Sequence, residues 1–277
     1  MVMTESIMYR KIDNIKEIQE VVSFQEEIWS RDAVSPLPQL VAASHHGGVI
    51  MGAFHAAKLV GFSYGFSGYK NKEHYLISHM TAISPSYQNL GIGLALKLKQ
   101  RDWAIEYGYK KIVWTYDPLE SRNAYFNINK LGGYVKTHLP SYYGEMNDKL
   151  NNGLPTDRFV VEWDICSDRV KNALAGLNKL ESSDREYSSL LTIKVNGGLP
   201  YPHEENLIKN QKSYLIPVPV DFQKIKQVDF EVAKAWRLKF RNAASDILLE
   251  GYKVTRILKT TNHLVHYYVL EYGGFHD

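Results

Sequence analysis

Apolar positions change period several times along the chain, and each change marks an element. Behind Asp13-Asn14, the residues Ile15, Ile18, Val21, Val22, Gln25 and Ile28 recur at three- and four-residue spacing. This predicts a capped amphipathic helix facing a core. Met8–Ile12, just before it, reads as a short strand. Ser35-Pro36-Leu37-Pro38 breaks the chain, a short helix follows over Gln39–Ser44, and Gly47-Gly48 ends it. The β-rich runs Val49–Ala56 and Leu59–Ser67, joined at Ala57-Lys58, predict a hairpin. Gly68–Glu73 turns the chain into a third run, Tyr75–Ile83. A helix then opens at Leu90-Gly91-Ile92-Gly93. At 100° per residue its Ile92, Leu96, Trp103 and Tyr107 fall on one side, with Leu94, Leu98 and Ile105 nearly opposite. Two apolar stripes predict a helix held between two layers, the second being the C-terminal region or a partner subunit. Gly108 is its expected stop.

Lys111–Tyr116 predicts another strand, stopped by Asp117-Pro118. Ser121 caps a helix expected to reach Leu131, where Gly132-Gly133 ends it. Tyr134–His138 and Arg158–Ile165 read as strands around a Tyr/Gly/Asn-rich loop, Pro140–Pro155, of the length that functional lids have. After Cys166 the character shifts. A helical run (Val170–Leu180), a charged linker (Glu181–Glu186), a strand (Leu190–Val195) and a loop (Gly197–Asn210) follow. Tyr214–Val220 is a strand whose two prolines suit a sheet edge. Asp221 and Asp229 cap helical segments, the second running to Glu250 with Val232, Ala233, Trp236, Phe240, Ala243, Ala244 and Ile247 at helical spacing. Tyr252–Leu258 and Leu264–Glu271 form a hairpin around Thr261-Asn262. The shift after Cys166 divides the chain into an expected first domain, 1–166, and an α/β extension, 167–277, that packs on the first domain or forms a dimer interface.

Composition narrows the function classes. Of 277 residues, 44% are hydrophobic and 23% charged, the balance of an ordinary globular protein. A net charge of +3 demands neither a nucleic-acid partner nor an anionic membrane. The lone Cys166 allows no disulfide framework within the chain. Arg10, Lys11, Asp13 and Lys16 interrupt any early apolar run, and no stretch approaches the ~20 apolar residues of a membrane span. The expectation is a soluble, cytoplasmic protein. His45-His46, His263 and His266 lack metal-ligand spacing, so no metal is expected.

The stretch from Tyr75 to Tyr107 carries the chemistry. A helix N-terminus offers unpaired N–H groups and the positive end of the helix dipole, and glycines at 91 and 93 let a phosphate approach the backbone. No Gly-Lys-Ser/Thr follows, so this is not a P-loop; the third glycine of a dinucleotide fingerprint is also missing. The combination Gln88-x-x-Gly91-x-Gly93, behind a strand and Ser84-Pro85 and ahead of a helix, a strand and a helix ending Lys130-Leu131-Gly132, resembles the GNAT acyltransferase superfamily. The resemblance covers about the first 165 residues. The runs WTYDPLESRNA (114–124), LPSYYG (139–144) and DRFVVEW (157–163) resemble a bacterial subgroup with a C-terminal extension.

The resemblance implies an α/β fold of the α+β kind: a mixed, mostly antiparallel GNAT-type sheet flanked by helices. It implies acyl-CoA, acetyl or succinyl, as co-substrate, with its pyrophosphate on backbone amides of Gln88, Asn89, Leu90, Gly91, Ile92, Gly93 and Leu94. Its pantetheine arm would lie along Met80, Ala82 and Ile83 where that strand splays from Ile112–Tyr116, with Asn123 as a further contact. The reaction needs a base for the amine, an oxyanion donor and an acid for the departing thiolate. His79, mid-strand and counted on one face with Ile77 and Thr81, is the candidate base; Asp117 and Glu120 are its rivals. Many relatives carry the acid as a tyrosine four residues before the helix-ending glycine. That position here is Ile128, which leaves Tyr142, Tyr143 or Tyr125 as replacements. Arg122, Arg237 and Arg241 are candidates to bind substrate carboxylates. The expected activity is acyl transfer to the amine of a small molecule such as an amino acid, and the alternative is a non-catalytic acyl-CoA-binding module, which the missing tyrosine favours.

Overall fold

The structure, a computed structural model, describes residues 6–29, 34–144, 153–177, 187–205 and 211–273. The expected linker 181–186, and the parts of the expected loops and helix at 145–152, 178–180 and 206–210, lie outside the described residues. The chain divides into two units, residues 1–114 and 115–277. Residues 115–166, expected with the first domain, fall in the second unit.

In the first unit, β1 (Met8–Lys11), α1 (Ile15–Ile28), α2 (Leu37–His45), β2 (Val49–His55), β3 (Lys58–Lys70), β4 (Glu73–Ile83) and α3 (Ile92–Tyr107) are followed by the start of β5 (Lys111–Tyr116). Asn14 caps α1, its side chain accepting from Glu17 N at 2.9 Å. Strand order is β1-β2-β3-β4-β5. The first three pairings are antiparallel and the fourth is parallel. One sheet face meets α1 and α2 through a core of Ile12, Ile18, Val21, Phe24, Leu40, Phe62 and Tyr64, with the Phe24 and Phe62 rings edge-on at 5.9 Å. Gly65, between Tyr64 and Phe66, faces the other way, toward α3. A Cβ there would sit 2.9 Å from Ile77 O and 3.1 Å from Gln100 Nε2, so glycine is what lets the helix lie so close.

The buried face of α3 is Ile92, Leu96, Lys97, Gln100 and Ala104. The two-stripe expectation is therefore corrected. Tyr107 is exposed, because Trp103, Tyr107 and Tyr109 stack on one another at the helix end, and two polar residues occupy the stripe facing the sheet.

The second unit contains a short α-helical turn, α4 (Ser121–Ala124), that continues as a π-helix (Tyr125–Lys130). Then come β6 (Tyr134–Leu139), β7 (Arg158–Asp164), α5 (Asp168–Leu174), β8 (Ser188–Ser189), β9 (Leu191–Asn196), β10 (Leu199–Glu205), β11 (Ser213–Pro219), α6 (Phe222–Val228), α7 (Phe230–Leu249), β12 (Tyr252–Leu258) and β13 (Val265–Tyr272). The order β7-β6-β12-β13-β11-β8 is antiparallel except at the two-residue β8. Strands expected in separate domains thus share a sheet, β12 pairing with β6 at Val254 and Val135. The stretch after Gly197, expected as a loop, is in part β10, hairpinned to β9. Its Leu-Pro-Tyr-Pro pattern hid a strand whose prolines need no second neighbour. Pro217 and Pro219 pair with β13 alone, as an edge requires. Asp221 and Asp229 cap α6 and α7, and Phe240 of α7 packs on Phe159 and Tyr268, each 5.6 Å away.

Candidate acyl-CoA site

Three local features build the site in the first unit. The first is the start of α3. Its first intrahelical bond runs from Ala95 N to Gly91 O at 3.1 Å, so the amides of Ile92, Gly93 and Leu94 have no helical acceptor. No side chain caps this end, and no acidic residue sits in the first turn. Gly91 is left-handed (φ +82°), and a Cβ on it would enter open space. Residues 88–91 are exposed, Asn89 is also left-handed (φ +65°), and Gln88 Nε2 reaches Ile83 O at 3.5 Å. Sixteen residues of aligned dipole end in bare amides behind an open cradle, which is what an anionic diphosphate fits.

The second feature is a fork. β4 and β5 pair in parallel at Leu76/Ile112 and Ile77/Val113. Ser78 and Trp114 are thus the first residues beyond the last paired rung. Along β4, Ser78 stands about 17 Å from Ile83 at ~3.3 Å per residue, so the fork leads from the α3 end toward its root.

The third is a β-bulge. Tyr64 pairs with Met80 and Gly65 with Ser78, leaving His79 as the extra residue. The bulge changes which face each residue serves. Before it, Leu76 and Ser78 face α3; after it, Met80 and Ala82 join the α1–α2 core and Ile83 faces α3, touching the Gly93 side. Thr81 turns to Ser63 on the α3 face, its hydroxyl donating at 3.2 Å. His79 therefore keeps Ile77's face but not Thr81's, which corrects the period-two count. Its ring packs edge-on against Tyr64 (6.1 Å) and Phe66 (5.6 Å), and this burial lowers its pKa, leaving a neutral imidazole at pH 7 while the residue stays open to solvent. Met80 takes a hydrogen bond from Ser35 Oγ at 3.4 Å.

Sequence reasoning passed over two residues beneath α3. Lys97 is 5% exposed; its Nζ donates to Ser78 Oγ at 2.6 Å and lies 3.8 Å from the centre of the Trp114 ring. Burial alone pulls its amine down to about 7. Gln100 is fully buried, and neither its Oε1 nor its Nε2 has a hydrogen-bond partner among the described residues. The signal was present: Gln100 falls on the four-residue spacing of Ile92, Leu96 and Ala104, and Lys97 is the neighbour of Leu96 in the same buried stripe.

In the second unit, Arg237 and Arg241 are neither open nor merely solvated. Arg237, 2% exposed, forks onto Asp117 at 2.8 and 2.5 Å, and Arg241 forks onto Asp157 at 2.9 and 2.6 Å. Burial raises the Asp157 carboxyl, but the His138 ring with its Nε2 3.4 Å away, the Arg241 fork and the Ser141 N–H outweigh it and hold the group far below the usual range. Asp117 also accepts from Leu119 N, and Gln223 donates to Glu120 at 2.5 Å. Burial raises the Glu120 pKa. Ile128 is fully buried hydrocarbon. Tyr142 and Tyr143 are 51% and 46% exposed, their rings T-shaped at 4.7 Å. Tyr125 carries Lys259 Nζ over its ring at 3.8 Å, and Arg122 and Asn123 are exposed.

Residues 14–127 match the model of the acetyltransferase (GNAT) family. The match spans 114 of the 277 residues, and the fold that carries it is mixed α/β. None of the curated proteins matches the sequence. Among solved structures, the chain is similar to an acetyltransferase of the GNAT family from Streptococcus pneumoniae (14% identity, TM-score 0.45, covering 57% of this chain and 98% of that one). It is also similar to yncA from Salmonella typhimurium, solved with its cofactor acetyl-CoA (12%, 0.47, 58% and 95%). A third is Arabidopsis thaliana NAA60 in complex with acetyl-CoA (13%, 0.45, 57% and 98%). No helix among the described residues is long and apolar enough to cross a membrane, and no metal-holding cluster of His, Cys, Asp or Glu occurs among them.

Proposed function

We propose that this protein is an acyl-CoA-dependent N-acyltransferase, transferring an acetyl or succinyl group to the amine of a small molecule such as an amino acid. The observation that carries the reading is the uncapped, glycine-opened N-terminus of α3 beside a β4–β5 fork. The residues present fit coenzyme A. Amides of Ile92–Leu94 hold its diphosphate, the open side of Gly91 admits it, and β4 from Ile83 to Ser78 offers a freed edge for the pantetheine amides. Bound there, the thioester supplies the acyl electrophile. His79, neutral and set out of the strand by its bulge, takes the proton of the attacking amine.

A second reading, a non-catalytic acyl-CoA-binding module, is favoured by Ile128 alone, since a buried alkyl chain protonates nothing. Free thiol is measured on mixing the protein with acetyl-CoA or succinyl-CoA and an amine panel. Thiol release that depends on both acyl-CoA and an amine supports the transferase. Saturable coenzyme A binding with no release across the panel supports the binding module instead.

A further inference from the structure

Residues 85–91 form the open side of the cradle, and Tyr87 alone among them is not exposed. Its hydroxyl lies 2.8 Å from Nδ1 of His55, the last residue of β2, with the two rings edge-on at 5.6 Å. The hairpin that presents His55 departs from regularity twice. Its turn, Ala56-Ala57, is left-handed at both positions (φ +48° and +63°), where asparagine and glycine are the usual occupants. Ala53 pairs with Gly61 and Phe54 with Leu59, so Val60 is a bulge residue, and its carbonyl accepts from Ser84 N at 2.9 Å. The β2–β3 hairpin thus grips the chain on both sides of Pro85-Ser86, by main chain at Ser84 and by side chain at Tyr87. Within the grip, Tyr87 N donates to Ser84 O at 2.8 Å and Gln88 N to Pro85 O at 3.3 Å, closing a tight turn. The other wall of the cradle, the first turn of α3, is held separately: a Cβ on Gly93 would stand 3.2 Å from Ile83 Cδ1.

We propose that His55 and Tyr87 are positioning residues for coenzyme A, their contact setting the loop 88–91 beside the α3 amides before the ligand arrives. The inference rests on the acyl-CoA reading and says how this chain forms its diphosphate seat in advance. Gln88, Asn89 and Leu90 alone separate Tyr87 from Gly91, so an anchored Tyr87 leaves the exposed loop little freedom. Without the anchor the loop has to be ordered by the ligand, and that ordering entropy is subtracted from affinity. Tyr87 lies beyond the Ile83 end of β4 and His79 lies back along the strand, so the effect falls on binding and not on the chemical step.

Calorimetric titration of coenzyme A into the wild type, Tyr87→Phe, His55→Leu, His55→Gln and the Tyr87→Phe/His55→Leu double variant tests this. Thermal melts establish that each variant folds. Tyr87→Phe and His55→Leu should each weaken coenzyme A about fivefold, the size of one hydrogen bond. The double variant should lose little more than either single, since both remove the same contact. His55→Gln, whose amide can still bond the phenol, keeps most of the affinity. In amine-dependent thiol release by Tyr87→Phe, the KM for acetyl-CoA rises by the same factor and kcat holds. Hydrogen exchange in the ligand-free variant speeds up at the amides of Ser84, Tyr87 and Gln88, and not in the distant strands. Unchanged coenzyme A affinity in Tyr87→Phe, with the wild type binding normally, overturns the positioning role and leaves the donor site standing. Weakened affinity with unchanged exchange would make Tyr87 a direct ligand contact and also overturn it. So would a fall in kcat at constant KM, or single losses that multiply in the double variant. Absence of any coenzyme A binding by the wild type overturns both readings.

Discussion

Lys97→Met should change how stability depends on pH, and the structure sets the size of the effect. An exposed lysine in the unfolded chain titrates at 10.5, whereas the buried one titrates at about 7. Between those values the unfolded state binds a proton that the folded state has released. Stability therefore rises with pH across the window, at about 1.4 kcal/mol per pH unit from this residue. From pH 7 to pH 9.5 the contribution is about 3 kcal/mol, the slope being half-developed near the folded value. Below pH 7 the folded chain holds a charged ammonium away from water, at a cost of order 5 kcal/mol, and methionine, nearly isosteric and uncharged, removes it. The variant should thus be more stable than the wild type at pH 6, with the advantage shrinking as pH rises. Urea unfolding of both proteins from pH 6 to pH 9.5 reads the difference directly, cancelling other titrating groups. A wild-type-minus-variant difference that is flat across the range would refute the reasoning, because it would mean that Lys97 titrates normally and is solvated.

Three further outcomes follow from the geometry. Gly91→Ala forces a left-handed L-residue, costing ~1–2 kcal/mol of stability by denaturant unfolding, and its methyl enters the cradle, so coenzyme A affinity should fall about tenfold or more by calorimetry; unchanged affinity removes Gly91 from the anion seat. Asp157→Ala strands the Arg241 fork and the Ser141 N–H and should destabilise by about 3–5 kcal/mol. Because the Asp157 pKa is lowered on folding, its contribution is present above the ordinary carboxylate range and is lost as pH falls through the folded value, so the variant should lack that part of the wild type's acid sensitivity. His79→Ala should slow amine-dependent thiol release by about 100-fold or more and abolish the acidic limb of its pH profile, with coenzyme A affinity retained; a full rate would exclude His79 as the base.

Residue patterning reached what local chemistry decides. Asn14, Asp221 and Asp229 cap helices because short acceptor side chains precede apolar periods, and Gly91 and Gly108 mark the two ends of α3 because both need positive φ. Tertiary partners decided the rest. A period-two count cannot see a bulge, so the face of Thr81 relative to His79 was read wrongly. Arg237 looked like a substrate-binding cation because its partner, Asp117, lies 120 positions away along the chain. The tail looked like a separate domain because the Val254–Val135 pairing joins strands far apart in sequence. Lys97 and Gln100 escape residue patterning for the opposite reason: charge and amide groups in a helix normally mark its wet side, and the close approach that Gly65 permits is what puts them on the buried side.

The central claim is that the start of α3 and the β4–β5 fork hold coenzyme A. A crystal structure of the protein grown with coenzyme A tests it most directly. The account predicts the diphosphate on the amides of Ile92, Gly93 and Leu94 beside Gly91, with the pantetheine arm between β4 and β5 and its sulfur toward Ser78. A diphosphate seated elsewhere, with the α3 amides facing only water, would contradict it.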